Sequence, residues 1–117
     1  MPATMYEERA YSPAAAALEV DVAPGPQPGT VSVCVRGEVD FDNAATLRTA
    51  LLAALVSHRG SLLVDLSQVT FCDCAGLHTL LTARTASRRA GRSLHITASG
   101  RPVERLLQLT DARDLLT

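Results

Sequence analysis

The stretch SLLVDLS at residues 61–67 constrains the fold more than any other, being apolar at almost every position yet only as long as a strand. Such a run marks a strand buried within a sheet, because a strand with one solvated face would alternate more strictly with polar residues. Helical periods lie on both sides of it. Before it, Ala44, Leu47, Leu51 and Leu55 fall on one stripe, with Asp42 or Asn43 placed to cap the start and Gly60 to end it. After it, residues 76–91 carry Leu77, Leu80 and Leu81 inward. Helix, buried strand, helix implies crossover connections and parallel pairing.

The rest of the chain completes a small layered fold. LEVDV (18–22) alternates as a short strand, and APGPQPG (23–29), with three prolines and two glycines, must be a loop. TVSVCVRG (30–37) sets Val31, Val33 and Val35 on one face and Ser32, Cys34 and Arg36 on the other, so an antiparallel pair is expected. SLHITA (93–98) reads as a strand, and RPVERLLQLT (101–110) as a short helix with Pro102 in its first turn. ARDLLT (112–117) is open to a last short strand. Residues 1–17 hold Pro2 and Pro13 and no sustained period, which reads as a flexible N-terminal tail before one domain at 18–117. The expected class is α/β: a mixed sheet of four to five strands with helices packed on it.

Composition narrows the function. With 117 residues there is room for one core, and two Phe, two Tyr and no Trp make that core aliphatic. Stacking platforms for bases need exposed aromatics. The eleven basic residues, all Arg, are offset by twelve acids, and a net charge of -1 disfavours nucleic acid as a partner. Three cysteines are an odd set that does not read as a disulfide framework, so a reduced, cytoplasmic setting is expected. No apolar run approaches the roughly 20 residues of a membrane span. Glu7 and Glu8 stand where a secretory signal would be basic, and AAAAL (14–18) is too short for its apolar region.

The most suggestive chemistry sits in FCDCAGLH (71–78), where strand period gives way to helix period. Cys72 and Cys74 form C-x-C, with Cys34 distant and the histidines scattered at 58, 78 and 95. Tetrahedral zinc wants four ligands, usually with C-x-x-C spacing, so no metal or other cofactor is expected. Cys72 reads as core filling. A thiol such as Cys74 at a helix N-terminus can become reactive, although the charge of Asp73 opposes this, so a redox sensor is a lesser alternative. Asp73 suits an N-cap, Gly76 allows close backbone approach, and Leu77 anchors the helix. His78 has no nucleophile and acid arranged around it. Neither a phosphate-binding glycine loop nor a nucleophile elbow is present, so catalysis is not expected. Arg84, Arg88, Arg89 and Arg92 gather toward the end of the second helix, where cations complement its dipole.

VDLSQVTFCDCAGLHTLL (64–81) resembles the central motif of the STAS domain in the anti-sigma factor antagonist family, strand then D-S-S-G-L then helix. VRGEVDFDNAATLRTAL (35–51) is similar to that family's G-E-L-D entry into its first helix, and ASGRPVERLLQLTDARDLL (98–116) to its third helix and turn. The resemblance implies a regulatory module that binds an anti-sigma factor of the serine-kinase type and is switched off by phosphorylation of the second serine of the motif. Laid onto this chain, the partner-binding loop is Asp73, Cys74, Ala75, Gly76 and Leu77, with Asp40 and His78 in support, and the phosphoacceptor position falls on Ala75. Alanine has no hydroxyl, so that switch is expected to be absent. Ser67, Thr70 and Thr79 are the other nearby hydroxyls. A STAS subunit of another assembly, a transporter accessory or multi-STAS sensory complex, is the alternative. The family's domains usually continue with a last strand and helix, so the C-terminal end reads as shortened, and homodimerisation would be a remedy for an exposed sheet edge.

Overall fold

A computed structural model describes residues 17–113. Its elements run β1 (Glu19–Pro24), β2 (Thr30–Val39), α1 (Ala44–Ser57), β3 (Ser61–Cys72), α2 (Cys74–Arg89), β4 (Leu94–Ser99) and α3 (Arg101–Leu109). The expected tail, apart from Ala17, and residues 114–117 of the expected last strand lie outside the described residues. Ala112 and Arg113, also assigned to that strand, are not in one.

The four strands form one sheet in the order β1-β2-β3-β4, with β1 antiparallel to β2 and β2, β3 and β4 mutually parallel. This is the mixed α/β sheet that the alternating periods predict. Parallel neighbours joined in chain order through one helix each, α1 between β2 and β3 and α2 between β3 and β4, pack their helices against the sheet in a single core. There Val33, Val35, Leu62, Val64, Leu66 and Ile96 from the strands share one core with Leu47, Leu51, Leu80 and Leu107 from the helices. The opposite face carries Cys34, Arg36, Leu63, Asp65 and His95, all half-buried. On it Arg36 pairs with Asp21 of β1.

β3 runs five residues past the stretch that the apolar pattern marks. Its pairing with β2 slips twice, between Cys34 and Arg36 and between Gly37 and Glu38, each slip giving β3 one extra residue. Such bulges reset the period of two, so the next buried residue after Leu66 is Val69. Asp65 clips the first bulge by accepting from the Ser67 N–H at 2.8 Å and the Ser67 hydroxyl at 2.7 Å, and these bonds hold its carboxyl below the usual range. The second bulge uses Gly37 at φ +98°, where a Cβ would lie 2.1 Å from the Ala17 carbonyl oxygen. The bulges carry β3 on to Cys72, so that it delivers Asp73 beside the end of β2, where the Asp73 N–H donates to the Val39 carbonyl at 3.2 Å.

Candidate functional site

The C-terminal ends of β2 and β3 release two loops side by side, one leading into α1 and the other directly into α2. Asp73 joins them. Its Oδ1 accepts from the backbone N–H groups of Ala75 at 2.9 Å and Gly76 at 3.2 Å, which caps α2. Its Oδ2 accepts from the Phe41 N–H at 3.1 Å, in the other loop. One carboxylate therefore satisfies three N–H groups on two segments that lie 32 residues apart in sequence.

The first loop is locked from within. Asp40 Oδ1 accepts from the N–H groups of Asp42 at 2.9 Å and Asn43 at 3.1 Å, while the Asp40 carbonyl accepts from Ala44 at 2.9 Å. Asn43 answers by accepting from the Asp40 N–H at 2.9 Å and donating to the Glu38 carbonyl at 2.8 Å. Although Asn43 occupies the N-cap position of α1, its side chain makes no capping bond, and neither does Asp42 cap the helix; the turn built by Asp40 takes that part. The competing pull of loop hydrogen bonds on Asn43 explains the difference.

Around the clasp the expected loop residues are brought together at the start of α2. Cys74 is exposed, Ala75 is half-buried, Gly76 is buried and Leu77, 6% exposed, joins the core. A Cβ on Gly76 would meet Cys72 Sγ and Val39 Cγ1, each at 2.7 Å, so only glycine lets the helix start close against β2. Asp40 is half-buried and His78 is exposed on the outer side of α2. Cys72 lies beneath the loop, and burial pushes its thiol up to about 11, with the charges of Asp73 and Cys74 adding to the effect. Among the described residues no three His, Cys, Asp or Glu side chains converge on one point.

The nearby hydroxyls differ in access. Thr79 is 4% exposed and donates to the Ala44 carbonyl at 3.4 Å, tying α2 to the start of α1. Ser67 and Thr70 are exposed, and Thr70 donates to the Gly37 carbonyl at 3.4 Å.

Three residues take parts that the sequence does not assign them. Phe41 stands 82% exposed between Asp40 and Asp42, and Phe71 is 46% exposed on β3, opposite Glu38. An aromatic in a D-F-D loop is the only signal that points to the first. Arg92 is the third: its guanidinium donates to the carbonyls of Leu55 at 2.8 Å, His58 at 2.6 Å and Gly60 at 3.3 Å, closing the C-terminus of α1. It serves the first helix, whereas its sequence position groups it with the end of the second. Arg88 and Arg89 do lie in the last turn of α2.

No helix among the described residues is long and apolar enough to cross a membrane. Three solved structures share the fold. An anti-sigma factor antagonist from Mycobacterium paratuberculosis is 24% identical, with 84% of this chain and 83% of that one covered at a TM-score of 0.68. SpoIIAA, an anti-sigma factor antagonist in its unphosphorylated form, is 17% identical, with 86% of each chain covered and a TM-score of 0.64. The STAS domain of an anti-sigma factor antagonist from Rhodobacter sphaeroides is 14% identical over 86% of this chain and 96% of that one, with a TM-score of 0.56. No curated protein sequence matches the chain. The family model described as Mlab, STAS domain matches residues 22–117, nearly all of the sheet and every helix, and the chain belongs to the STAS domain family.

Proposed function

We propose that this STAS domain is an anti-sigma factor antagonist that binds an anti-sigma factor of the serine-kinase type through Asp73, Cys74, Ala75, Gly76 and Leu77, with Asp40 and His78 at the edge. The observation that carries the reading is the Asp73 clasp, which fixes two loops into one surface at the end of the sheet. A surface held before the partner arrives loses less freedom on binding.

The same geometry bears on control. In the family's motif a phosphoserine occupies the position of Ala75, whose own N–H lies 2.9 Å from Asp73 Oδ1. A phosphate adds about -1.5 to -2 charges. Pressed into a partner surface fitted to alanine, it would have to be desolvated and would face any like charge there at roughly 4 kcal/mol per pair of unit charges about 4 Å apart at an effective dielectric of 20. About 1.4 kcal/mol is already a tenfold loss of affinity. Ala75 offers no oxygen to phosphorylate, so the surface stays in its binding-competent form. Of the other hydroxyls, buried Thr79 is out of a kinase's reach.

The test is a titration of the purified chain against the kinase-type anti-sigma factors of its host. A 1:1 complex that Asp73→Ala weakens supports the proposal; no complex with any of them refutes it. A second reading is favoured by the family model, whose description carries the name Mlab. In that reading the chain is a STAS subunit of another assembly, where no phosphorylatable serine is needed. Co-purification from host cells separates the two, yielding an anti-sigma factor in the first case and a stable multi-subunit assembly in the second.

A further inference from the structure

We propose that Phe41 is the apolar anchor of the partner surface, docking into an apolar slot on the anti-sigma factor that is rimmed by basic side chains, with Phe71 as its flank. This rests on the proposed function and names the chemistry that the partner must present.

The chain has two Phe and no Trp, and neither Phe is in the core. Phe41 is 82% exposed and Phe71 46% exposed. Both stand within reach of the clasp, Phe41 bonded to Asp73 through its N–H and Phe71 two residues before Asp73 on β3. Large apolar side chains left exposed on two neighbouring segments mark a contact surface, and aromatic anchors dominate binding energy where they occur.

The backbone around Phe41 is built to hold the ring out. Five consecutive N–H groups, from Asp40 to Ala44, each have an acceptor: Asn43 Oδ1, Asp73 Oδ2, Asp40 Oδ1 twice, and the Asp40 carbonyl. A loop so fully bonded gives up little backbone freedom when its apex is buried by a partner. Charge sets the rim. Glu38, Asp40, Asp42 and Asp73 neighbour the two Phe positions, Glu38 paired with Phe71 across the strands and Asp73 bonded to the Phe41 N–H, whereas the chain as a whole carries a net charge of only -1. Potentials across an interface are complementary, so the slot is bordered by Arg or Lys.

The experiment uses the full chain with 4-fluorophenylalanine at its two Phe positions, which gives two fluorine resonances, assigned with Phe41→Leu. Adding a serine-kinase anti-sigma factor that binds should shift or broaden both. In parallel, Phe41→Ala should weaken binding by about 30-fold or more, mainly through faster dissociation, with Phe41→Leu between it and wild type. Val56→Ala, at an 87% exposed site near the far end of α1, should leave binding unchanged. A bound partner that leaves the Phe41 resonance unmoved, or a Phe41→Ala affinity within about threefold of wild type, overturns the anchor while the proposed function stands. If no anti-sigma factor binds the wild-type chain, the proposed function fails and the anchor with it. The fluorine readout needs no truncation, so a Phe41→Ala chain that misfolds does not remove the test.

Discussion

Truncating Asp73 to alanine removes the acceptor of three N–H groups in one step. Loss of an N-cap costs about 1 kcal/mol, within a range of roughly 0.5–2. The Phe41 N–H is exposed, so water replaces much of its bond and the added cost is about 0.5–1 kcal/mol. Together the substitution should destabilise the domain by about 2 kcal/mol, which for a domain near 100 residues corresponds to a fall in Tm of roughly 8–16 °C. Asp73→Asn separates the two parts. Its Oδ1 can still accept from Ala75 and Gly76, but its amide presents N–H groups to the Phe41 N–H, so only the second cost is incurred and Tm should fall by about 2–8 °C. Thermal melts and urea titrations, with unchanged m values, measure both. An alanine variant melting within about 2 °C of wild type would refute the idea that the clasp holds the loops together.

Other consequences are as specific. Gly76→Ala drives a Cβ to 2.7 Å from Cys72 Sγ and Val39 Cγ1, and overpacking of about 1–3 kcal/mol should outweigh a helix-propensity gain of about 1, so urea titration should show a less stable chain. Arg92→Lys cannot reach all three carbonyls that the planar guanidinium spans and should cost about 1–2 kcal/mol in a thermal melt. Native alkylation followed by mass spectrometry should modify exposed Cys74 well before Cys72, whose thiol is pushed to about 11. Because the folded chain keeps the Cys72 proton after an unfolded thiol near 9 has lost it, stability should fall as pH rises from about 9 to 11, and Cys72→Ala should flatten that part of the curve.

The class of fold was legible because β3 and its two neighbouring helices declare themselves through period and apolarity. Asp73 as a cap, Gly76 as a close approach and Leu77 as an anchor were equally open to reading, since each role depends on residues within a few positions. What stayed hidden depends on contacts far along the chain. The bulges at Ser67 and Gly37 broke the alternation that would have shown the true length of β3. The second oxygen of Asp73 finds a loop 32 residues away, and Arg92 closes a helix that ends 35 residues before it, pairings that no local spacing encodes. Asn43, expected as a cap, spends its side chain on Asp40 and Glu38, a competition that a helix-start signature does not register.

The clasped loop surface should bind its partner without a phosphate switch at position 75. Its most direct test is to incubate the chain with the anti-sigma kinase it binds and ATP, then measure phosphate on residues 73–77 and affinity for the kinase, with Ala75→Ser treated alike. The wild-type chain should carry no phosphate there and keep its affinity, while Ala75→Ser should take up one phosphate and lose binding by tenfold or more, since a charge pressed into a surface fitted to alanine need cost only about 1.4 kcal/mol for that. A wild-type chain that acquires stoichiometric phosphate in this loop and releases the kinase would show that a phosphate switch operates here after all.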